Sequence, residues 1–317
     1  MGSDYARPLV TAPETEVAGR TGPMALLVAM RPYQWPKNLI VFAALAFSAG
    51  DAWRPGEPDE WWPLLWRTAL LFVLWCGAAS AIYLVNDLCD READQLHPRK
   101  RYRPIAAGLV SSRQAATAAV LLAVVAVPPA FALSITSGCI LAGYMVVMTA
   151  YSYELKRVAI LDVLILSGGV VARAVSGATA IDVAISPWLY LCTAFGAFFL
   201  GSSKRWSEFR QLGEEAAAHR PALAHYNGEL LNQLVAISAA TALIGYALYT
   251  IQSEHVPRNG AMALTIPFVG FALFRYLLLL NGERKADAPD RILFTDPQIL
   301  VAVAGFVVTA ITVLLVA

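Results

Sequence analysis

Acidic side chains recur at helical spacing in one segment of the sequence, Tyr83–Asp94. Asn86 and Asp87 are followed by Asp90 and Asp94, so the aspartates are spaced i, i+3 and i+7. If one helix carries them, the carboxylates lie on one face and span about 10 Å. Like charges at a helix C-terminus repel one another and oppose the helix dipole, so a cation is expected there. The cofactor that this pattern favours is Mg²⁺, which proteins hold through one or two carboxylates together with substrate phosphates.

A basic segment follows directly, from His97 to Pro104. It contains four cations, Arg99, Lys100, Arg101 and Arg103, and its flanking prolines favour a shaped loop over a helix. Such cations can contact phosphate oxygens, arginine in a bidentate manner. The two segments together predict a pocket for a magnesium diphosphate. Two alternatives stay open: an exposed acidic helix end paired with nearby arginines, and a basic loop that only sets membrane topology.

The composition indicates a membrane protein, because 58% of the 317 residues are hydrophobic and 15% are charged. About 20 apolar residues are needed to cross the hydrocarbon core. Nine candidate spans are found, at residues 35–50, 64–85, 115–134, 137–151, 159–180, 186–201, 234–251, 261–280 and 299–317, after a surface helix at 24–30. Because two of them are short, the pattern predicts eight or nine spans. The expected fold is an all-α polytopic bundle. Residues 1–23 are expected to form a disordered cytoplasmic tail, and residues 24–317 a single transmembrane domain.

Basic residues are concentrated in alternate connections, after the second, fourth, sixth and eighth predicted spans. Because Lys and Arg accumulate on the cytoplasmic side of a membrane, the N-terminus is predicted inside and the C-terminus outside. The acidic and basic segments then lie at the cytoplasmic face of the plasma membrane. The net charge of +1 gives no indication of nucleic-acid binding. The four cysteines and four histidines lack ligand spacing, so no metal role is predicted for them.

The pattern Asn-Asp-x-x-Asp-x-x-x-Asp at residues 86–94, followed by Arg-Pro-Ile at 103–105, resembles the first aspartate-rich motif of the UbiA superfamily of intramembrane prenyltransferases. Residues 31–38 and 151–157 are similar to further landmarks of that superfamily. The resemblance implies nine helices around a central cavity, with a polar cap on the cytoplasmic side and a lateral opening to lipid. Typical members carry a second aspartate-rich motif after the sixth span, and the two motifs hold a prenyl diphosphate through two magnesium ions.

The sequence departs from the superfamily at that second motif. Lys204 and Arg205 stand where two carboxylates are expected. This substitution and the basic segment are similar to the decaprenyl-phosphate phosphoribosyltransferase branch. The resemblance implies 5-phosphoribosyl 1-diphosphate (PRPP) as donor and a polyprenyl phosphate as acceptor, in a step toward decaprenylphosphoryl arabinose for cell-wall arabinan. A donor with a diphosphate and a separate 5-phosphate suits a pocket of mixed charge.

Roles for individual residues follow from these motifs. Asp87, Asp90 and Asp94 are predicted to hold Mg²⁺ on the diphosphate, and Asn86 to orient a ligand or metal-bound water. The predicted substrate-binding residues are Lys37, Arg99, Lys100, Arg101, Arg103, Tyr151, Lys156, Arg173, Lys204, Arg205 and Glu208. Glu208 is expected either to accept ribose hydroxyls or to position Lys204. For Lys37 the alternative is an interface anchor, and for Arg173 and Arg275 an interhelical hydrogen bond or snorkelling.

Two other functions compete with phosphoribosyl transfer. A prenyltransferase that uses a prenyl diphosphate and an aromatic acceptor shares the first motif, but the missing second motif counts against it. A transporter or lipid flippase explains the spans and the buried arginines but not three grouped aspartates, and no repeat relates the two halves of the sequence. Homo-oligomerisation is an open alternative, because helical membrane bundles often associate.

Overall fold

The computed structural model describes residues 22–50, 52–54, 56–97, 100–212, 221–253, 256, 259–282, 292–293 and 295–316. Almost all of the predicted cytoplasmic tail, and Arg99 of the basic segment, lie outside these residues. The described part of the chain is helical, apart from its turns, its irregular connections and one isolated bridge between Ala49 and Trp53. The prediction of an all-α fold is therefore confirmed.

The α-helices are α1 (Pro23–Ala29), α2 (Ala43–Phe47), α3 (Pro58–Cys89), α4 (Arg91–Leu96), α5 (Ser112–Leu133), α6 (Ile135–Tyr153), α7 (Leu161–Ala180), α8 (Pro187–Leu212), α9 (Gly228–Gln252), α10 (Ile266–Asn281) and α11 (Pro297–Val316). Short 3-10 helices occupy Pro32–Phe42, Lys100–Tyr102, Leu155–Arg157, Pro221–His225 and Ala261–Thr265. The predicted surface helix corresponds to α1.

Seven helical segments in the described ranges are long and apolar enough to cross a membrane, which makes the chain an integral membrane protein. They are α3, α5, α6, α7, α9, α10 with its preceding 3-10 turn, and α11. Two of the nine predicted spans are not in this set. The first is a 3-10 helix interrupted by Pro36, which lacks a backbone N–H, and only the short α2 continues it. The other is α8, whose last turns carry Lys204, Arg205 and Glu208.

Helix α3 is longer than its predicted span, with 32 residues that extend to about 48 Å. It begins with Pro58 at its first position and acidic residues in its first turn, both favourable at a helix N-terminus. At its other end the helix stops at Cys89, and Asp90 caps it before α4 begins. The acidic segment is therefore not one continuous helix, and Asp90 lies at the joint.

The order of the long helices in space largely follows their order in the chain. Helix α3 packs on α5 and α6, and the pairs α5 and α6, α6 and α7, α7 and α8, and α8 and α9 are in contact. The 3-10 segment Pro32–Phe42 packs between α3 and α7. A Cβ atom on Gly177 of α7 would lie 2.1 Å from the carbonyl oxygen of Val41, so glycine is required for this approach. The packing brings the 31–38 region against the helix that carries Asp87.

Candidate active site

Asp87 lies inside the protein near the end of α3, with 2% of its surface exposed. Its Oδ1 accepts hydrogen bonds from Arg31 Nη2 at 2.5 Å and from Arg103 Nη1 at 3.1 Å. The Arg31 guanidinium also lies 4.9 Å from the centroid of the Tyr83 ring, a cation–π distance. A buried carboxylate is costly unless it is paired and hydrogen-bonded. The two guanidinium groups meet that requirement for Asp87.

Arg103 joins Asp87 to a second buried carboxylate. Its Nη1 donates to Asp94 Oδ2 at 2.7 Å, and Asp94 is 3% exposed. One nitrogen atom therefore lies between two carboxylates. The backbone after Arg103 is held to α4 by Gln95, whose Nε2 donates to the carbonyl of Ala106 at 3.2 Å. The structure thus brings the acidic and basic segments together.

Asp90 has different partners and a different environment. It accepts hydrogen bonds from Lys156 Nζ and, at 3.2 Å, from Asn86 Nδ2. Its side chain is 28% exposed. Lys156 belongs to the 3-10 turn that follows α6, so residues 151–157 reach the acidic segment. Asp90 is accordingly the aspartate of the three that a ligand can reach most directly.

The carboxylates of Asp87, Asp90 and Asp94 are ligand types that suit a magnesium ion. The described residues hold no ready-formed cluster of three metal-ligating side chains, and each aspartate is paired with a cation. Mg²⁺ does not need such a cluster, since one or two carboxylates and substrate phosphates satisfy it. Nη1 of Arg103 is bonded to the carboxylates of both Asp87 and Asp94, so a positive charge is stabilised at the position of this nitrogen. Two of the carboxylates are buried, which differs from the alternative of an exposed acidic helix end.

Arg205 is enclosed rather than open to a pocket. It is 2% exposed, and its Nε donates to Asp162 Oδ2 at 2.7 Å while its Nη1 donates to Glu208 Oε2 at 2.9 Å. Asp162, in the first turn of α7, has no exposed surface. The Glu208 side chain is 30% exposed. This geometry gives no support to the predicted direct contact between Arg205 and a substrate phosphate. The neighbouring Lys204 is exposed, so a substrate can reach its side chain.

Tyr226 holds Asp162 from the opposite side. Its hydroxyl donates to Asp162 Oδ1 at 2.9 Å and accepts from the backbone N–H of Ile160 at 2.5 Å. Ile160 has a φ of 67°, which is unusual for a β-branched residue and indicates local strain. Burial raises the pKa of Tyr226 to about 12, so the phenol stays a neutral donor. Asp162 and Tyr226 were not predicted from the sequence, in which the one available signal is a lone aspartate at the start of an apolar run.

Arg173 makes contacts between helices. Its Nε donates to Asn38 Oδ1 at 2.7 Å, its Nη1 to the Gly169 carbonyl at 2.6 Å and its Nη2 to the Tyr144 hydroxyl at 3.0 Å. The guanidinium also lies 4.7 Å from the centroid of the Trp75 ring. These contacts are the interhelical alternative stated for this residue. Its predicted contact with a phosphate stays a prediction.

The other predicted residues occupy varied positions. Lys37 and Arg101 are exposed, Lys100 is half-buried, and Tyr151 is buried within electrostatic range of Arg205.

Arg275 forms an ion pair with the buried Asp296, through Nε at 3.2 Å and Nη2 at 3.1 Å. Asp296 also accepts from the backbone at the start of α11, so this pair ties α10 to α11.

Comparisons with known proteins agree with the geometry. The model of the UbiA prenyltransferase family matches residues 23–296. The decaprenyl-phosphate phosphoribosyltransferase of Mycolicibacterium smegmatis is 34% identical over 305 residues, which cover 93% of this chain and 92% of that protein. The enzyme of the same name from Corynebacterium glutamicum is 31% identical over 287 residues, covering 89% of this chain and 84% of that protein.

Solved structures show the same fold. A UbiA homologue from Archaeoglobus fulgidus, bound to GPP and Mg²⁺, matches with a TM-score of 0.68 and 17% identity, covering 92% of this chain and 100% of that one. The same homologue bound to DMAPP and Mg²⁺ also gives a TM-score of 0.68. The resemblance found in the aspartate-rich segment is thus confirmed over nearly the whole chain. The chain belongs to the UbiA prenyltransferase family.

Proposed function

We propose that the chain transfers the 5-phosphoribosyl group from PRPP to a polyprenyl phosphate, decaprenyl phosphate above all, with release of diphosphate. The similarity of 31–34% to enzymes named for decaprenyl-phosphate phosphoribosyl transfer, over most of both chains, carries this proposal. The residues support it, because Lys204 and Arg205 stand where the resemblance to prenyltransferases expects carboxylates. The step lies on the way to decaprenylphosphoryl arabinose and cell-wall arabinan.

The leaving group is the diphosphate of the donor. A magnesium ion held by Asp87 and Asp90, with Asp94 in support, would supply positive charge to that diphosphate. Arg103 and Lys156 would donate to diphosphate oxygens when the donor binds, since the incoming phosphates would compete with the aspartates for these two cations. Asn86, which orients Asp90 at 3.2 Å, keeps that carboxylate beside the site.

The bond between ribose C1 and the diphosphate oxygen breaks, and an oxygen of the lipid phosphate bonds to C1 with inversion. That oxygen is already anionic, so no general base is needed. Positioning of the two anionic substrates, together with stabilisation of the leaving group, supplies the catalysis. The exposed cations Arg101 and Lys204, and the half-buried Lys100, suit the 5-phosphate or the lipid phosphate.

The isoprenoid tail of the acceptor requires an apolar surface beside the polar site. An apolar cleft between α6, α7 and α8 is lined by Leu164, Gly168, Val175, Tyr190 and Phe198, among others. Its lining on α7 begins two residues after Asp162 and continues for about 16 Å along the helix. A tail in this cleft keeps the lipid phosphate at the polar end of the bundle.

The placement in the membrane is part of the proposal. The site lies on the cytoplasmic side of the plasma membrane, with the N-terminus inside and the C-terminus outside, as the basic connections predict. The 3-10 segment with α2, and α8, are the two further spans that make nine around a central cavity under a polar cap. Residues 24–317 then form one transmembrane domain.

Transfer of radiolabel tests the proposal. Purified protein is incubated with labelled PRPP, decaprenyl phosphate and Mg²⁺, and label is counted in the organic-extractable lipid. Label in the lipid is the expected result. No label, together with activity on a prenyl diphosphate and an aromatic acid, would refute the proposal and return the chain to the prenyltransferases.

A further inference from the structure

Arg173 carries a positive charge into the middle of the bundle. It is the thirteenth of the 20 residues of α7, a helix able to cross the membrane, and it lies about 18 Å along that helix from Leu161. A charge at such a depth is costly, and charged residues found there usually face a polar cavity or the bundle interior. A partner that compensates the charge is therefore expected beside Arg173.

The partners of Arg173 in the described part of the chain are all neutral. Its hydrogen bonds go to the side-chain oxygen of Asn38, the carbonyl of Gly169 and the hydroxyl of Tyr144. Its guanidinium lies 4.7 Å from the centroid of the Trp75 ring and 4.8 Å from that of the Tyr144 ring. These contacts orient the guanidinium, but none of the partners carries a negative charge.

Two N–H groups of Arg173 have no acceptor among the described residues. Arginine has five N–H donors, and the three hydrogen bonds use one on Nε, one on Nη1 and one on Nη2. One N–H therefore remains on each terminal nitrogen, and such a pair binds a phosphate in a bidentate manner. Arg173 is half-buried rather than enclosed, so a ligand can reach it.

Arg67 of α3 shows how an arginine of the bundle is compensated without a ligand. Its Nε donates to the carbonyl of Ala180 and its Nη2 to the carbonyl of Leu133, both at 2.7 Å. These two residues end α7 and α5, where the helix dipole places partial negative charge. Arg173 lacks this compensation, because its one backbone acceptor, Gly169, lies in the middle of α7.

Tyr83 connects Arg173 to the diphosphate side of the site. The Tyr83 ring lies 4.9 Å from the guanidinium of Arg31, which bonds Asp87 at 2.5 Å, and Tyr83 is also within electrostatic range of Arg173. On α3, Tyr83 precedes Asp87 by one turn, and Trp75 precedes it by 12 residues. These two contacts place the Arg173 guanidinium roughly 6 to 18 Å deeper in the bundle than Asp87.

We infer that Arg173 binds the 5-phosphate of the donor. The inference rests on the proposed function. Seven covalent bonds separate the first phosphorus of the PRPP diphosphate from the 5-phosphorus, a length of roughly 8 Å when extended. A donor whose diphosphate lies at Asp87 and Asp90 therefore extends its 5-phosphate toward Arg173. Asn38 and Tyr144 are positioning residues, because they hold the guanidinium without touching the ligand.

Arg173 also bears on the choice of donor. A prenyl diphosphate continues from its diphosphate into an apolar chain, which would desolvate the guanidinium without supplying an acceptor. A 5-phosphate supplies the missing negative charge and accepts from both remaining N–H groups. Arg173 therefore favours a phosphoribosyl donor over a prenyl donor, and the exposed Arg101 and Lys204 are left for the lipid phosphate.

Inhibition by two fragments of the donor tests the inference. Ribose 5-phosphate and inorganic diphosphate are each assayed as inhibitors of label transfer from PRPP to decaprenyl phosphate. In Arg173→Gln the inhibition constant of ribose 5-phosphate should rise about tenfold or more, because charge-assisted hydrogen bonds are lost. The constant for diphosphate and the KM for decaprenyl phosphate should keep their wild-type values. Arg67→Gln, the same change at the arginine that holds two helix ends, should lower the melting temperature without changing either inhibition constant.

The outcomes separate the inference from its alternatives. Arg173→Lys keeps the charge but not the planar pair of donors, so it should raise the ribose 5-phosphate constant less, and it serves where Arg173→Gln fails to fold. A purely structural role lowers the melting temperature but leaves both inhibition constants unchanged in these variants, and that result would overturn the inference. So would a rise in the KM for decaprenyl phosphate alone, because the anion at Arg173 would then be the lipid phosphate. A wild type that transfers no label overturns the proposed function and the inference with it.

Discussion

Asp87 and Asp90 differ in burial, so the same substitution should affect them differently. Asp87→Asn removes the buried carboxylate that pairs with Arg31 and shares Arg103 with Asp94. Breaking a fully buried ion pair costs about 3–5 kcal/mol. The side chains of Arg31 and Arg103 are 17% and 27% exposed, so water solvates part of the released charge. We therefore expect a loss of about 2–3 kcal/mol in the free energy of unfolding, below the fully buried limit.

Asp90→Asn should cost far less stability. Its side chain is 28% exposed and its partner Lys156 is 20% exposed, a situation in which ion pairs contribute about 0–1 kcal/mol. Both variants should nevertheless lose phosphoribosyl transfer by about 100-fold or more, because each removes a carboxylate from the site where the leaving group is stabilised. We therefore expect Asp87→Asn and Asp90→Asn to lose activity to a similar extent but to differ in stability.

The assay combines thermal unfolding in detergent with transfer of label from PRPP to decaprenyl phosphate over a magnesium titration. Asp59→Asn, at an exposed acid at the opposite end of α3, is the matched control; it should keep wild-type activity and lose only the helix-dipole contact of about 0.3–1 kcal/mol. Full activity in Asp87→Asn would remove Asp87 from the metal site. Equal destabilisation of the Asp87 and Asp90 variants would contradict the reasoning from burial.

Three further predictions concern other parts of the molecule. Lys156→Met should raise the KM for PRPP about tenfold, because a charge-assisted contact is lost, and an unchanged KM would exclude Lys156 from donor binding. Gly177→Ala should lower the melting temperature, since its Cβ would lie 2.1 Å from the Val41 carbonyl, whereas Gly143→Ala, with open space around it, should not. Folding raises the pKa of Tyr226 from its ordinary value of 10 to about 12, so this group contributes stability below pH 10 that is lost as the pH rises to about 12. The melting temperature of the wild type should therefore fall between pH 10 and 12. In Tyr226→Phe, which lacks the titrating hydroxyl, the fall should be smaller.

The sequence alone was sufficient to predict an integral membrane protein of the all-α class. Runs of about 20 apolar residues can satisfy their backbone hydrogen bonds in lipid only as helices, so length and hydropathy decide the class. The aspartates at Asp87, Asp90 and Asp94 stand out because their spacing is local and their charge is out of place at a helix end. The first predicted span differs from an ordinary apolar helix, because Pro36 lies inside it and a 3-10 helix occupies Pro32–Phe42.

Only the tertiary structure decided which charges meet. Asp87 pairs with Arg31 across 56 positions, Asp90 with Lys156 across 66, and Arg205 with Asp162 across 43. The spacing of apolar and polar residues along a helix indicates which of its faces each residue occupies and whether that face contacts lipid, protein or water. It does not indicate which helix packs against that face. That choice depends on packing, for example on the close approach that Gly177 allows. The same packing encloses Arg205 between Asp162 of α7 and Glu208 of its own helix α8, and leaves 30% of the Glu208 side chain exposed.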